Sequence, residues 1–122
     1  MVKETLIEKH INFDTDLDNF SERLSQNIFA KNILVIGGAG TIGSSYIKQI
    51  LKYKPSKITV VDINENGLTE LTRDLRSSNL LDYNPEYITY PVNLLSDTFD
   101  KIFNSGSWQV VSNFSAHKHV RS

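Results

Sequence analysis

The sequence predicts an α/β domain built on a parallel sheet, and three observations carry that prediction. Short apolar runs of strand length alternate with stretches whose apolar residues recur at helical spacing. The first run, in NILVIGG, is continuously apolar, as suits a strand covered on both faces. Four of the six glycines crowd into residues 36–43, IGGAGTIG, between that strand and the first helical stretch. So much bare backbone in one place implies a chain path that side chains would block.

Taken in order, NILVIGG is the first strand, and TIGSSYIKQILKYKP the first helix. The helix places Ile42, Tyr46, Ile47, Ile50 and Leu51 on one face, and Pro55 closes it. KITVVD (57–62) reads as the second strand. NENGLTELTRDLRSS reads as the second helix, with Leu68, Leu71 and Leu75 inward and Asn64 as its N-cap. YITYPV (87–92) is the third strand, SDTFDKIFN a short helix, and WQVVSNFS (108–115) the fourth strand. Strands alternating with helices mean βαβ units with right-handed crossovers. A dinucleotide-binding arrangement of them has the strand order 3-2-1-4.

Ahead of this pattern, DTDLDNFSERLSQNIFA sets Leu17, Phe20, Leu24 and Ile28 at helical spacing behind an acidic start. Residues 1–30 are therefore expected to be a helical extension, packed on the domain's own edge or on another subunit. Residues 31–122 form the main domain. They stop just past strand four, where a complete sheet of this kind needs further strands. The expectation is a domain cut before its catalytic and substrate-binding part. An unpaired edge on strand four leaves homo-oligomerisation open.

Composition narrows the function. The net charge of −1 gives no global field toward nucleic acid or an acidic membrane. With no cysteine there is no disulfide framework, thiolate metal site or cysteine nucleophile. No apolar stretch approaches the ~20 residues of a membrane span, and MVKETLIEKH is too charged for a signal peptide. The expected compartment is the cytoplasm.

The glycine window fits GxGxxG through Gly38, Gly40 and Gly43, and GxxGxxG through Gly37, Gly40 and Gly43. In either register Gly40 lets a pyrophosphate approach the backbone, and Gly43 lets helix and strand pack closely. The helix starting near Thr41 points free N–H groups and its positive dipole end at the anion. No GK[ST] follows, so this is not an NTPase P-loop. Asp62 ends the second strand, where a carboxylate can accept from both adenosine ribose hydroxyls; its alternative role is to cap the next helix. A carboxylate there suits a free 2′-hydroxyl and repels a 2′-phosphate, and Ile63-Asn64-Glu65 offers no cation. NAD is favoured over NADP. A strand-to-helix turn without ligand is the bland alternative.

ILVIGGAGTIGSSYIKQIL, ITVVDINENGLTELTRDL and SNFSAHKHV together resemble the extended short-chain dehydrogenase/reductase superfamily. Within it they are most similar to the nucleotide-sugar 4,6-dehydratases and epimerases of bacterial polysaccharide synthesis. The resemblance spans residues 31–121, and Ala116-His117-Lys118-His119-Val120 is its most specific part. It implies a Rossmann-type three-layer fold and an NAD(P)-dependent enzyme acting on a nucleotide sugar of the UDP-N-acetylglucosamine type. By position, Gly37, Gly40, Thr41, Ile42 and Gly43 would contact the pyrophosphate, and Asp62, Ile63 and Asn64 the adenosine ribose. Asn93 falls where the family often has an Asp bonding the adenine. Ser115 and Ala116 would border the nicotinamide half. Lys118 would lie between cofactor and sugar, with His119 helping to bind the sugar. Asn113-Phe114-Ser115 replaces the common His-Ala-Ala, and Arg121 a usual Pro, which bears on subfamily and substrate.

His117 and His119 have no third ligand or carboxylate nearby, so no metal site is expected. A solvated basic loop end is the alternative to sugar binding. The family's chemistry needs a Tyr and Lys spaced YxxxK. Here only Tyr53 and Lys57 have that spacing, and they straddle Pro55 away from the glycines. No catalytic residue is therefore assigned in this chain. A non-catalytic NAD(P)-binding sensor is the rival to the enzyme.

Overall fold

The computed structural model describes residues 23 and 25–115. Strands β1 (Asn32–Ile36), β2 (Lys57–Val61), β3 (Glu86–Tyr90) and β4 (Val110–Asn113) alternate with helices α1 (Thr41–Leu51), α2 (Glu65–Ser77) and α3 (Asp97–Ser105). All strand pairs are parallel and the order is β3-β2-β1-β4, as expected. β1 is central, with Ile33 level with both Ile58 of β2 and Val110 of β4.

Alternation along the strands divides the core into two layers. Ile33 and Val35 of β1 and Ile58 and Val60 of β2 meet Ile47, Ile50 and Leu51 of α1 and Leu68, Leu71 and Leu75 of α2. Leu34, Ile36, Val61 and Val111 point to the opposite face and meet Phe99 of α3. Both faces are covered, which is why β1 is apolar from Ile33 to Ile36 and why β2 is buried from Ile58 to Val61, Thr59 included. Burying each such side chain contributes ~1.5–3 kcal/mol relative to exposure. The result is the three-layer Rossmann-type arrangement.

The helix starts follow the local sequence. Asn64 caps α2 by accepting from the Gly67 N–H at 2.9 Å, and Ser96 caps α3 by accepting from Phe99 at 3.1 Å. Two expectations change. Ile42 is 71% exposed rather than part of the buried face of α1, because the first turn of α1 rests on the glycine loop through Gly43. β4 begins at Val110, while Trp108 leaves the strand path and donates its indole N–H to the Phe103 carbonyl at 2.9 Å. Ile28, 1% exposed, packs into the layer under α1 and α2, so the chain before β1 joins the domain's own core there. Leu17, Phe20 and Leu24 lie outside the described residues. Among the described residues, no helix is long and apolar enough to cross a membrane.

Candidate functional site

Strands β1 and β2 end at the same edge of the sheet, and each hands the chain to a loop there. The β1 loop carries the glycines. Gly37 has φ +77°, a conformation L side chains rarely adopt. A Cβ on Gly37 would also fall 2.7 Å from the Ser115 nitrogen and 2.8 Å from the Phe114 carbonyl carbon. Gly37 is thus where the chain leaving β1 presses against the chain leaving β4. At Gly43 a Cβ would collide with the Gly37 carbonyl oxygen and lie 2.9 Å from the Gly38 Cα. That glycine lets α1 sit on its own loop.

Gly40 differs. A Cβ there would have only the Gly37 oxygen nearby, at 3.8 Å, and the residue is exposed. No neighbour among the described residues requires Gly40 to be bare. Beside it, α1 begins without a side-chain cap and without an acidic residue in its first turn. In contrast, α2 and α3 each have a side-chain cap and an acid there. The start of α1 keeps its donors and its partial positive charge.

The β2 loop brings Asp62 against these glycines. Asp62 Oδ2 accepts from the Ala39 N–H at 2.9 Å, and Oδ1 accepts from the Asn64 N–H at 3.0 Å. The carboxylate therefore clips the glycine loop to the β2–α2 turn. Asn64, not Asp62, caps α2. Each carboxylate oxygen retains acceptor capacity for a ligand hydroxyl.

A cleft of about 340 Å³ opens along this edge, lined among others by Gly37, Gly40, Asp62, Ile63, Asn93 and Ser115. Six sequence-predicted residues thus share one cavity. Ile63 is 67% exposed, an apolar surface at the cleft. Asn93 Oδ1 accepts from the Leu95 N–H at 2.9 Å, which leaves its Nδ2 donors and the oxygen's second lone pair for a ligand. Thr41 and Gly43 stand in the first turn of α1 beside Gly40, and Asn64 at the start of α2. Ala116, Lys118 and His119 lie outside the described residues. Among the described residues, no cluster of His, Cys, Asp and Glu could hold a metal.

Two contributors escaped the sequence reading. Gly67 lets α2 approach the loop, since a Cβ on it would lie 2.9 Å from the Ala39 methyl. Phe114 lines the cleft at the β4 end. A glycine near a helix start was the available signal for the first; for the second it was the departure Asn113-Phe114-Ser115 from His-Ala-Ala, which by itself gives Phe114 no place in the site.

This geometry has relatives. The chain is 28% identical over 104 residues to the capsular polysaccharide biosynthesis protein CapD of Staphylococcus aureus, covering 80% of this chain and 16% of that protein. It is 48% identical over 50 residues to the uncharacterized membrane protein MJ1061 of Methanocaldococcus jannaschii, covering 41% of this chain and 15% of that one. The chain thus spans about a sixth of the length of these curated relatives. Among solved structures, Pen from Bacillus thuringiensis superimposes with a TM-score of 0.59 at 28% identity, over 77% of this chain and 28% of that one. A putative D-mannonate oxidoreductase from Haemophilus influenza, solved with NAD, shares the fold with a TM-score of 0.52 at 20% identity, over 68% of this chain and 28% of that one. The polysaccharide biosynthesis protein family matches residues 33–122, from the first strand through the His-Lys-His segment. With the sheet, the glycine loop and that segment all inside one continuous match, the chain belongs to the polysaccharide biosynthesis protein family.

Proposed function

We propose that residues 31–122 are the NAD-binding domain of a nucleoside-diphosphate-sugar dehydratase or epimerase, with residues 1–30 a helical extension of it. The observation that carries the cofactor is Gly40: bare where no described residue needs it to be, at an uncapped helix start, with Asp62 across the cleft. That combination suits a pyrophosphate held by backbone N–H groups and dipole, with a ribose on the carboxylate. Gly37, Gly40, Thr41, Ile42 and Gly43 line the pyrophosphate's place. Asp62, Ile63 and Asn64 take the adenosine ribose, and Asn93 offers its Nδ2 to the adenine. Ser115 and Ala116 border the nicotinamide half, with Lys118 and His119 toward the sugar. When bound, the nicotinamide supplies reversible hydride acceptance from the sugar. The family supports a nucleotide-sugar substrate, and the resemblance of Ala116–Val120 narrows it to the UDP-N-acetylglucosamine type.

Cofactor choice follows from Asp62. NAD is expected to bind better than NADP, and Asp62→Ser to narrow or reverse the gap. Loss of a like-charge clash and of charge-assisted ribose bonds shifts the ratio by ~1–3 kcal/mol. The readout must be the ratio. Ser cannot hold both the Ala39 and Asn64 N–H groups as the carboxylate does, so both affinities fall as the loop loosens. A wild type that already prefers NADP contradicts the assignment.

The enzymatic part of the proposal is tested by turnover. Removing hydride from a carbinol needs a base for the hydroxyl proton, and general acid–base groups contribute ~10²–10⁴-fold. The one YxxxK spacing in the sequence is Tyr53 and Lys57, and among the described residues no Tyr or Lys lines the cleft. They are expected to convert no nucleotide sugar alone, whereas the protein of the relatives' length yields 4-keto or epimerised product by mass spectrometry. Turnover by the 122 residues refutes the missing-base argument. An inert longer protein that still binds NAD makes the domain a sensor.

A further inference from the structure

The β4 end of the cleft is braced by a buried polar contact that neither the glycine loop nor Asp62 explains. Tyr46 of α1 is 9% exposed, and its hydroxyl accepts a 2.7 Å hydrogen bond from Ser112 of β4, itself 1% exposed. The Tyr46 ring lies 4.9 Å from that of Phe114, tilted by 49°. Phe114 in turn donates its N–H to the Ile36 carbonyl at 2.7 Å, and its own carbonyl group abuts Gly37. Ser112, Tyr46, Phe114 and Gly37 thus form a continuous line of contact from the core to the cleft wall, where Phe114 and Ser115 stand.

Two apolar side chains would fill this space without withdrawing two hydroxyls from water. What the hydroxyl pair adds is direction, since a 2.7 Å bond fixes the ring's tip against β4. Burial raises the pKa of the Tyr46 phenol above its usual 10.0, the bond from Ser112 opposing, so the phenol stays neutral near pH 7. Strand order decides which part of the cleft is affected. β4 lies on the far side of β1 from β2 and β3, and Asp62 and Asn93 follow those two strands. The adenosine side and the Phe114 side are therefore at opposite ends.

We infer that Tyr46 is a positioning residue: anchored by Ser112, it seats Phe114 and so shapes the end of the cleft that receives the second nucleoside of a dinucleotide. The inference rests on the cofactor assignment above and adds to it the residue that fixes the far half.

The test is calorimetric titration of the wild type, Tyr46→Phe, Ser112→Ala and the double variant with ADP and with NAD, below each protein's melting temperature. ADP reports the adenosine and pyrophosphate places; NAD adds the nicotinamide riboside. Tyr46→Phe is expected to weaken NAD roughly 3- to 10-fold, the scale of one net hydrogen bond, and to leave ADP unchanged. Ser112→Ala should do the same from the other side of the bond. The double variant should lose no more than either, because one interaction is being removed. A purely structural role would instead lower both ligands together. Unchanged NAD-to-ADP ratios, or losses that add, overturn the positioning role alone. A wild type that binds neither ligand overturns it together with the cofactor assignment.

Discussion

Gly40→Val is expected to abolish detectable NAD binding while leaving the fold intact. The backbone at Gly40 is extended, with φ −75° and ψ 176°, so valine enters without strain. Among the described residues, the nearest atom to a new Cβ is the Gly37 oxygen at 3.8 Å, an ordinary contact distance. The added methyls occupy the place assigned to the pyrophosphate, and they cover the uncapped start of α1. An affinity loss of roughly 100-fold or more corresponds to about 3 kcal/mol of anion contacts denied. Far-UV circular dichroism should be unchanged, and the melting temperature should move only by the ~1 kcal/mol scale of a changed N-cap. Equal affinity in variant and wild type would mean that the open side of Gly40 has nothing to do with the ligand.

Three residues further on, the same kind of change should act on folding instead. Gly43→Ala drives a Cβ into the Gly37 carbonyl oxygen and the Gly38 Cα, which are backbone atoms and cannot rotate away. Overpacking of this kind typically costs ~1–3 kcal/mol. In a domain of this size that lowers the melting temperature on the order of 10 °C. Chemical denaturation should show a lower midpoint with an unchanged slope. NAD should still bind whatever fraction remains folded, more weakly if α1 is displaced. A Gly43→Ala protein as stable as wild type would show that α1 is not seated on its loop as described. The two glycines separate binding from packing within one motif, as their places in the motif lead one to expect; the structure adds that Gly43 packs against the loop backbone at Gly37 and Gly38.

The residues that were legible early are those whose signal is local. Continuous apolarity in ILVI marked β1, because both faces of that strand are covered, and the short run KITVVD marked β2. Leu68, Leu71 and Leu75 at helical spacing behind Asn64 gave α2 and its cap, both seen as expected. Asp62 could be placed at the strand end by counting, but its hold on the Ala39 N–H is set by how two loops meet, 23 residues apart. Ile42 matched the helical period and is nevertheless exposed, since periodicity does not register that a glycine loop, not the sheet, lies under the first turn. The Tyr46–Ser112 bond joins residues 66 apart, and Tyr46 by itself reads as one more apolar position on α1. Side chains that pack were visible in the pattern; pairings across the sheet were not.

The central claim is that an adenine dinucleotide lies along the cleft from Asn93 and Asp62, over Gly40, to Ser115. Amide chemical-shift mapping tests it residue by residue in the chain titrated with NAD. The N–H signals of Gly40, Thr41, Ile42 and Gly43 should move furthest, followed by those of Ile63, Asn64 and Ser115. Those of α3, on the opposite face of the sheet, should stay in place. Absence of any shift at millimolar NAD, or shifts centred on α3 with the glycine loop silent, would contradict the claim.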